Sequence, residues 1–303
     1  MILSIFNSQF SIVTFLQTLT AEHLICLAGL ALFAYWLLKT SFGARALTDA
    51  APRRNNMPLY LPLIPLFIWF GPVPMAVLIA EKLTRDFLQD WQIAFLDNCI
   101  FSAGAIVTIT VILFLARAHF ARRLRGFGLD VRTMVADFLA AAANLLTIWP
   151  LIITTIILTM FFGQRIWGQE YQMQQHQELE LITEYSQLPL RIIIVVVAVI
   201  VAPLIEELLF RGLVQTMLHS VLENLKFEIQ NSKLRSGGPA WLAIAISSGL
   251  FTTMHANPGH WPALFVLGMC LGYAYEKSGS LLRPIFIHSF FNGVMIAAAL
   301  SQS

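Results

Sequence analysis

Long apolar runs recur along the whole chain and are separated by short polar segments. Most runs are long enough for a helix that crosses the hydrocarbon core of a bilayer. Within the runs, apolar and polar residues do not alternate as they would in the strands of a membrane barrel. The pattern therefore predicts an all-α polytopic membrane protein with about eight transmembrane helices. The expected spans are 24–38, 59–80, 99–116, 138–162, 190–210, 240–256, 261–275 and 284–300.

Two further segments are apolar but less clearly membrane-spanning. Residues 1–20 are uncharged but contain several polar side chains, which favours a segment at the membrane interface. Residues 208–229 are less apolar than a clean span. They are predicted to form an amphipathic helix that lies on the inner surface or is partly embedded.

The composition excludes several classes of protein. Hydrophobic residues make up 57% and charged residues 12% of the 303 residues, whereas soluble domains have roughly 45–50% and about 25%. The net charge of +2 gives no basic field for nucleic acid, so no nucleic-acid partner is expected. Three cysteines in apolar runs, Cys26, Cys99 and Cys270, form neither a disulfide framework nor a paired metal-binding motif.

Basic residues predict the orientation of the bundle. Fifteen of the 19 Lys and Arg residues follow the first, third, fifth and seventh spans, so the positive-inside rule places those segments in the cytoplasm. Both termini and the acidic loop 164–189 are then expected outside. We expect a multi-pass protein of the plasma (inner) membrane of a bacterium. The fifteen residues are Lys39, Arg45, Arg53, Arg54, Arg117, Arg122, Arg123, Arg125, Arg132, Arg211, Lys226, Lys233, Arg235, Lys277 and Arg283.

Two adjacent carboxylates, Glu206 and Glu207, follow fourteen residues without a polar side chain. A charge in the bilayer costs roughly 2.5–3.5 kcal/mol on insertion scales. One interpretation places both residues at the interface, where the cost is small, and the other places them in a wet functional cavity. Because Glu207 and Arg211 are four residues apart, they can form an ion pair on one helix face. This assignment leaves Glu206 without a local partner and available for chemistry.

Two other apolar helices carry polar residues of catalytic type. His255 ends the sixth span, and His288 and Asn292 are four residues apart in the last span, so both point the same way. Buried polar groups need partners, so we expect them to meet Glu206 in one intramembrane polar site. A carboxylate, two imidazoles and an amide can activate water and stabilise an oxyanion, as peptide hydrolysis requires. The chain has no HExxH, GxSxG or Walker A motif.

The depth of the three motifs is a difficulty for straight helices. Glu206 and His288 would lie toward the cytoplasmic half, whereas His255 would lie near the outer end of span six. Either the fifth span continues past Gly212 and carries Glu206 to mid-bilayer, or the sixth span is tilted or ends within the protein. The turn-forming residues 257–259 that follow His255 suit the second alternative.

These motifs resemble the CPBP (Abi) family, the CAAX-type intramembrane endopeptidases. The resemblance lies in EExxxR at Glu206–Arg211, FxxxH at Phe251–His255 and HxxxN at His288–Asn292. It divides the chain into an N-terminal transmembrane region of about four helices, 1–189, without a recognised motif, and a catalytic region of about four helices, 190–303.

The resemblance implies an eight-helix bundle that hydrolyses a peptide bond near the membrane surface. It implies that Glu206 and His255 activate water and that His288 and Asn292 stabilise the tetrahedral intermediate. Glu207, Arg211 and Phe251 would orient the site. The implied substrate is a membrane protein or a lipidated peptide in the bilayer.

Other functions remain open at this point. Some relatives are non-catalytic membrane scaffolds or bacteriocin self-immunity factors. From a different class, a proton-coupled transporter could use Glu206 and the histidines as a relay. The sequence does not define an oligomeric state.

The metal content also remains open. Glu206, His255 and His288 could form a zinc site with an open position, and the family is often labelled metalloprotease on that basis. A metal-free mechanism uses the same side chains. We favour it slightly, because Glu206 as a zinc ligand would leave no carboxylate to act as general base.

Overall fold

The computed structural model describes residues 20–173, 177–228 and 237–301. Within these ranges the regular secondary structure is helical, with an isolated bridge between Asn55 and Phe120 and no strand. The predicted all-α class is therefore confirmed. The predicted interfacial segment lies almost entirely outside the described residues.

Helices correspond to all eight predicted spans, and several predicted boundaries are too short. Short 3₁₀ turns cover Val131–Thr133 and Pro258–His260. The α-helices of the described residues are α1 (Ala21–Lys39), α2 (Leu63–Phe70), α3 (Pro72–Thr84), α4 (Asp90–His119), α5 (Arg123–Phe127), α6 (Met134–Trp167), α7 (Gln177–Glu184), α8 (Leu188–Val196), α9 (Ala202–Glu207), α10 (Thr216–Glu228), α11 (Gly238–Thr253), α12 (Trp261–Ser278) and α13 (Leu282–Leu300).

Six helical segments of the described chain are long and apolar enough to cross a membrane. Helices α11 and α12, with 16 and 18 residues, are not among them. The structure therefore supports six candidate spans rather than the expected eight. The six are Ala21–Lys39, Leu63–Thr84, Asp90–His119, Val131–Trp167, Leu188–Leu225 and Leu282–Leu300.

The fifth of these, Leu188–Leu225, is here called the central span. It joins α8, α9 and most of α10 through two π-helical segments, Val197–Val201 and Leu208–Gln215. Pro203 lacks the N–H that would continue the α-helical ladder, and a π-helical turn just before it accommodates that loss. The predicted end of this helix at residue 210 is wrong, because the polar residues that follow are buried against other helices.

The length of the central span favours the first of the two alternatives for the depth of Glu206. Glu206 is 18 residues after Leu188 and 19 before Leu225, so it lies near the middle of the span. Helix α11 ends at Thr253, and His255 lies in the turn that follows. In that turn the Asn257 side chain accepts a hydrogen bond of 2.9 Å from the Gly259 amide.

Three loops predicted to be cytoplasmic meet at one end of the bundle. The Asn56 amide donates to the His119 carbonyl at 3.1 Å, and the Leu281 amide donates to the Gly128 carbonyl at 2.8 Å. Lys277 Nζ donates to the Ala46 carbonyl at 3.0 Å. The loops 39–58, 117–136 and 276–283 therefore share one side, as the charge pattern predicts.

The candidate site lies where the central span meets the C-terminal helices. The central span packs against α4, α11, α12 and α13. A core that includes Phe127, Ile205, Leu208, Phe251 and Tyr275 surrounds this contact and is almost fully buried. Among the polar residues of the three motifs, Glu207, Arg211 and His288 are buried in this surrounding.

Candidate active site

Glu207 and Arg211 form the ion pair that their spacing predicts. Arg211 Nη1 donates to Glu207 Oε1 at 3.0 Å, and both side chains are fully buried. Arg211 Nη2 also donates to the Gly268 carbonyl of α12 at 3.3 Å. The guanidinium lies over the Phe251 ring, 4.5 Å from its centroid. Arg211 is therefore held by a carboxylate, a carbonyl and an aromatic face.

His288 is a second partner of Glu207 that the sequence did not predict. Its Nδ1 lies 3.0 Å from Glu207 Oε1, and the residue is 4% exposed. A carboxylate only accepts hydrogen bonds, so Nδ1 carries the proton and donates. The other ring nitrogen, Nε2, then faces Glu206 Oε2 at 3.8 Å.

Glu206 lies one residue away and has a different environment. Its side chain is 20% exposed, whereas that of Glu207 is fully buried. Glu206 Oε2 is itself buried and has no hydrogen-bond partner among the described residues. Adjacent carboxylates thus have separate surroundings, as the 100° rotation between consecutive helical residues requires.

Phe251 connects the two histidines. Its buried ring makes edge contacts with His255, at a centroid distance of 4.9 Å, and with His288, at 5.7 Å. His255 Nδ1 donates to the Phe251 carbonyl at 2.9 Å. Since that nitrogen carries the proton, Nε2 is the acceptor nitrogen of a neutral His255 ring.

Asn292 lies one helical turn beyond His288 and contacts the central span. Its Nδ2 donates to the Ala198 carbonyl at 2.7 Å, within the first π-helical segment. This hydrogen bond ties the amide to backbone rather than to Glu206 or a histidine. The catalytic role expected of Asn292 stays a prediction.

The described side chains do not fit the zinc site that the sequence left open. Among the described residues, no three His, Cys, Asp or Glu side chains are grouped closely enough to hold a metal ion. Glu206, His255 and His288 therefore do not form such a group in this arrangement.

A cavity of 440 Å³ lies elsewhere, between α3, α4, α7 and the start of the central span. None of the four residues predicted to be catalytic lines it. Its lining residues are Val77, Glu81, Arg85, Asp90, Ile93, Ala94, Asp97, Asn98, Phe101, Glu178, Leu181, Tyr185 and Val197.

Sequence reasoning missed three buried polar residues beside the site. Gln215, His219 and Glu276 are 0%, 1% and 8% exposed. Gln215 and His219 continue the four-residue spacing of Glu207 and Arg211, and that periodicity was the available signal. It was missed because residues 208–229 were interpreted as an amphipathic helix on the inner surface or only partly embedded.

The fold and the site define a polytopic α-helical membrane protein with a buried cluster of carboxylates and imidazoles. Residues 188–294 match the family described as Rce1-like, type II CAAX prenyl endopeptidase. The match covers about a third of the chain, includes all three motifs and confirms the resemblance that they carry. Comparison with curated proteins gives no match, and neither does comparison with solved structures.

Proposed function

We propose that the protein is an intramembrane endopeptidase that hydrolyses a peptide bond near the membrane surface. The observation that carries the proposal is the position of His288, which lies 3.0 Å from Glu207 Oε1 and 3.8 Å from Glu206 Oε2 inside the region that matches the family. The Phe251 ring contacts both His288 and His255. The match to this family supports a prenylated or membrane-bound peptide as the substrate.

Glu206 is the general base of the proposed reaction. Glu207 is committed to Arg211 and His288, whereas Glu206 Oε2 has no hydrogen-bond partner among the described residues. A carboxylate within one water of the scissile carbonyl can take the proton of that water as it attacks. His255 assists as an acceptor through Nε2, since its Nδ1 is bound to the Phe251 carbonyl.

His288 stabilises the oxyanion of the tetrahedral intermediate. This role requires a proton on Nε2 while Nδ1 donates to Glu207, so the active form of His288 is the imidazolium. Asn292 contributes by fixing α13 against the central span at Ala198.

The deciding experiment is peptide cleavage in proteoliposomes. The probe is a fluorescence-quenched peptide with a farnesylated C-terminal CAAX sequence, beside the same peptide without the lipid. We expect cleavage by the wild type and none by Glu206→Gln. The control Glu170→Gln changes an exposed carboxylate in the 164–189 loop and should cleave normally.

Other outcomes distinguish the alternatives. Cleavage by Glu206→Gln at the wild-type rate would refute the proposed base. If the folded wild type cleaves neither peptide, a non-catalytic scaffold or immunity function becomes the better explanation. Proton flux that depends on Glu206, without cleavage, would favour a transporter.

A further inference from the structure

Four polar residues of the central span form one continuous buried face. Glu207, Arg211, Gln215 and His219 follow one another at intervals of four, and none is more than 1% exposed. The proposed reaction uses only the pair nearest the site. Gln215 and His219 extend the polar face away from that pair, toward the end of the bundle that carries the basic loops.

Helix α12 packs against this buried face, here called the polar row, and contacts its residues at matching intervals. Arg211 Nη2 donates to the Gly268 carbonyl at 3.3 Å, and Gln215 Nε2 donates to the Gly272 carbonyl at 3.1 Å. His219 Nδ1 lies 3.3 Å from Glu276 Oε2. Each partner is 57 residues beyond its counterpart, so one helix register satisfies all three contacts.

Glycine allows the two helices to approach this closely. A Cβ atom at Gly272 would lie 2.6 Å from Gln215 Oε1 and 2.8 Å from Ile244 Cγ2. Without a side chain at this position, the polar side chains of the central span reach the α12 backbone carbonyls directly.

Glu276 of α12 is the partner of the last residue of the polar row, His219, and is buried. Its Oε1 accepts from Gln215 Nε2 at 3.0 Å, and its Oε2 lies 3.7 Å from Arg53 Nη1. Burial raises the pKa of the Glu276 carboxyl, but the hydrogen bond with His219 and the charge of Arg53 outweigh burial and lower that pKa. Arg53 also stacks on the Tyr275 ring at 3.5 Å and donates to the Tyr275 carbonyl at 2.9 Å.

We propose that Gln215 and Glu276 are positioning residues of the candidate active site, which fix the register of α12 against the central span. The inference deepens the proposed function and rests on it for its catalytic meaning. A shift of one residue along a helix moves each carbonyl by about 1.5 Å. Such a shift would take the Gly268 carbonyl from Arg211 and loosen the ion pair that orients Glu207 and His288.

The test measures the chemical reactivity of Glu207 rather than proteolysis. Dicyclohexylcarbodiimide enters membranes and modifies protonated carboxyl groups, and tandem mass spectrometry of the labelled peptide distinguishes Glu206 from Glu207. A Glu207 held by Arg211 is expected to react slowly, whereas a Glu207 released from Arg211 is expected to react faster.

Two variants remove contacts between α12 and the polar row of the central span. Glu276→Gln removes the charge, and Gln215→Met removes the donors at similar volume. We expect Glu207 labelling to rise on the order of tenfold in each, the factor that corresponds to a hydrogen bond with a charged group. The matched control is Asp137→Asn, which removes the buried carboxylate of another ion pair, with Arg283 at 2.9 Å, outside the contact between α12 and the central span. Its Glu207 should react at the wild-type rate.

Wild-type reactivity in both folded variants, or an equal rise in the control, would overturn the proposal. If Glu276→Gln does not fold, Gln215→Met decides by the same criterion. Because labelling needs no substrate, the result stands apart from the success or failure of the proteolysis assay. Where cleavage is observed, the positioning role further predicts a lower kcat with an unchanged KM.

Discussion

His288 and Glu207 are joined by a hydrogen bond of 3.0 Å between Nδ1 and Oε1, and that oxygen also accepts from Arg211. The second oxygen, Oε2, is buried without a partner among the described residues. Glu207 thus links the motif on its own helix to the motif on α13. Its carboxylate fixes the orientation of the imidazole whose other nitrogen faces Glu206.

The first prediction is that substitution of Glu206 lowers activity, whereas substitution of Glu207 lowers stability. Glu206→Gln keeps the side-chain shape but removes the base, so it should lower the cleavage rate on the order of 10²–10⁴-fold. Its thermal unfolding in detergent should match that of the wild type. Folded Glu206→Gln with normal activity would contradict the assignment.

Glu207→Gln should instead destabilise the protein. It leaves Arg211 and His288 without their shared anion, and loss of one partner of a buried ion pair costs about 3–5 kcal/mol. The double variant Glu207→Gln/Arg211→Gln should recover part of that stability, because no charge remains unpaired. A thermal-shift series that showed Glu206→Gln unfolded and Glu207→Gln folded but inactive would reverse the two roles.

The second prediction concerns Gly212, the residue after the EExxxR motif. A Cβ atom there would clash with the Phe127 ring, and both residues are buried. Gly212→Ala should therefore destabilise the protein by about 1–3 kcal/mol, the usual cost of overpacking. Thermal unfolding is the measurement, and Phe127→Leu in the same chain should relieve part of the effect.

Gly249→Ala is the matched control for this prediction. Gly249 is also helical, but a Cβ atom there would meet nothing within 4 Å. Alanine should be neutral or stabilise the protein by up to about 1 kcal/mol, since glycine weakens a helix interior. Equal changes in thermal stability for the two substitutions would show that a clash with Phe127 does not cause the effect of Gly212→Ala.

Local patterns were sufficient to predict much of this structure. The apolar runs identified the helices, and the four-residue spacing identified the Glu207–Arg211 pair. The hydrogen bond from His288 to Glu207 was not predictable, because it joins residues 81 positions apart. The two π-helical segments and the burial of Gln215 depend on α12 packing against the central span, and periodicity within one helix carries no information about that contact.

The third prediction concerns metal. Because the described side chains form no group of three metal ligands, cleavage should persist after dialysis against a strong chelator. Elemental analysis of the purified protein should find well below one zinc per chain, with a known zinc peptidase treated in parallel. Stoichiometric zinc, and activity lost with its removal and restored on its return, would establish instead the three-ligand site that Glu206, His255 and His288 could form.

The last prediction is the orientation in the membrane. Loops 39–58, 117–136 and 276–283 meet at one end of the bundle and carry much of the positive charge, so the positive-inside rule places that end in the cytoplasm. On a background in which the three native cysteines are replaced by alanine, Thr133→Cys and Glu170→Cys introduce exposed thiols in opposite loops. A membrane-impermeant maleimide applied to intact cells should label Glu170→Cys and leave Thr133→Cys unlabelled until the membrane is permeabilised. The reverse pattern would show that the bundle has the opposite orientation. Labelling of both thiols before permeabilisation would contradict the placement of the two loops, at opposite ends of α6, on opposite sides of the membrane.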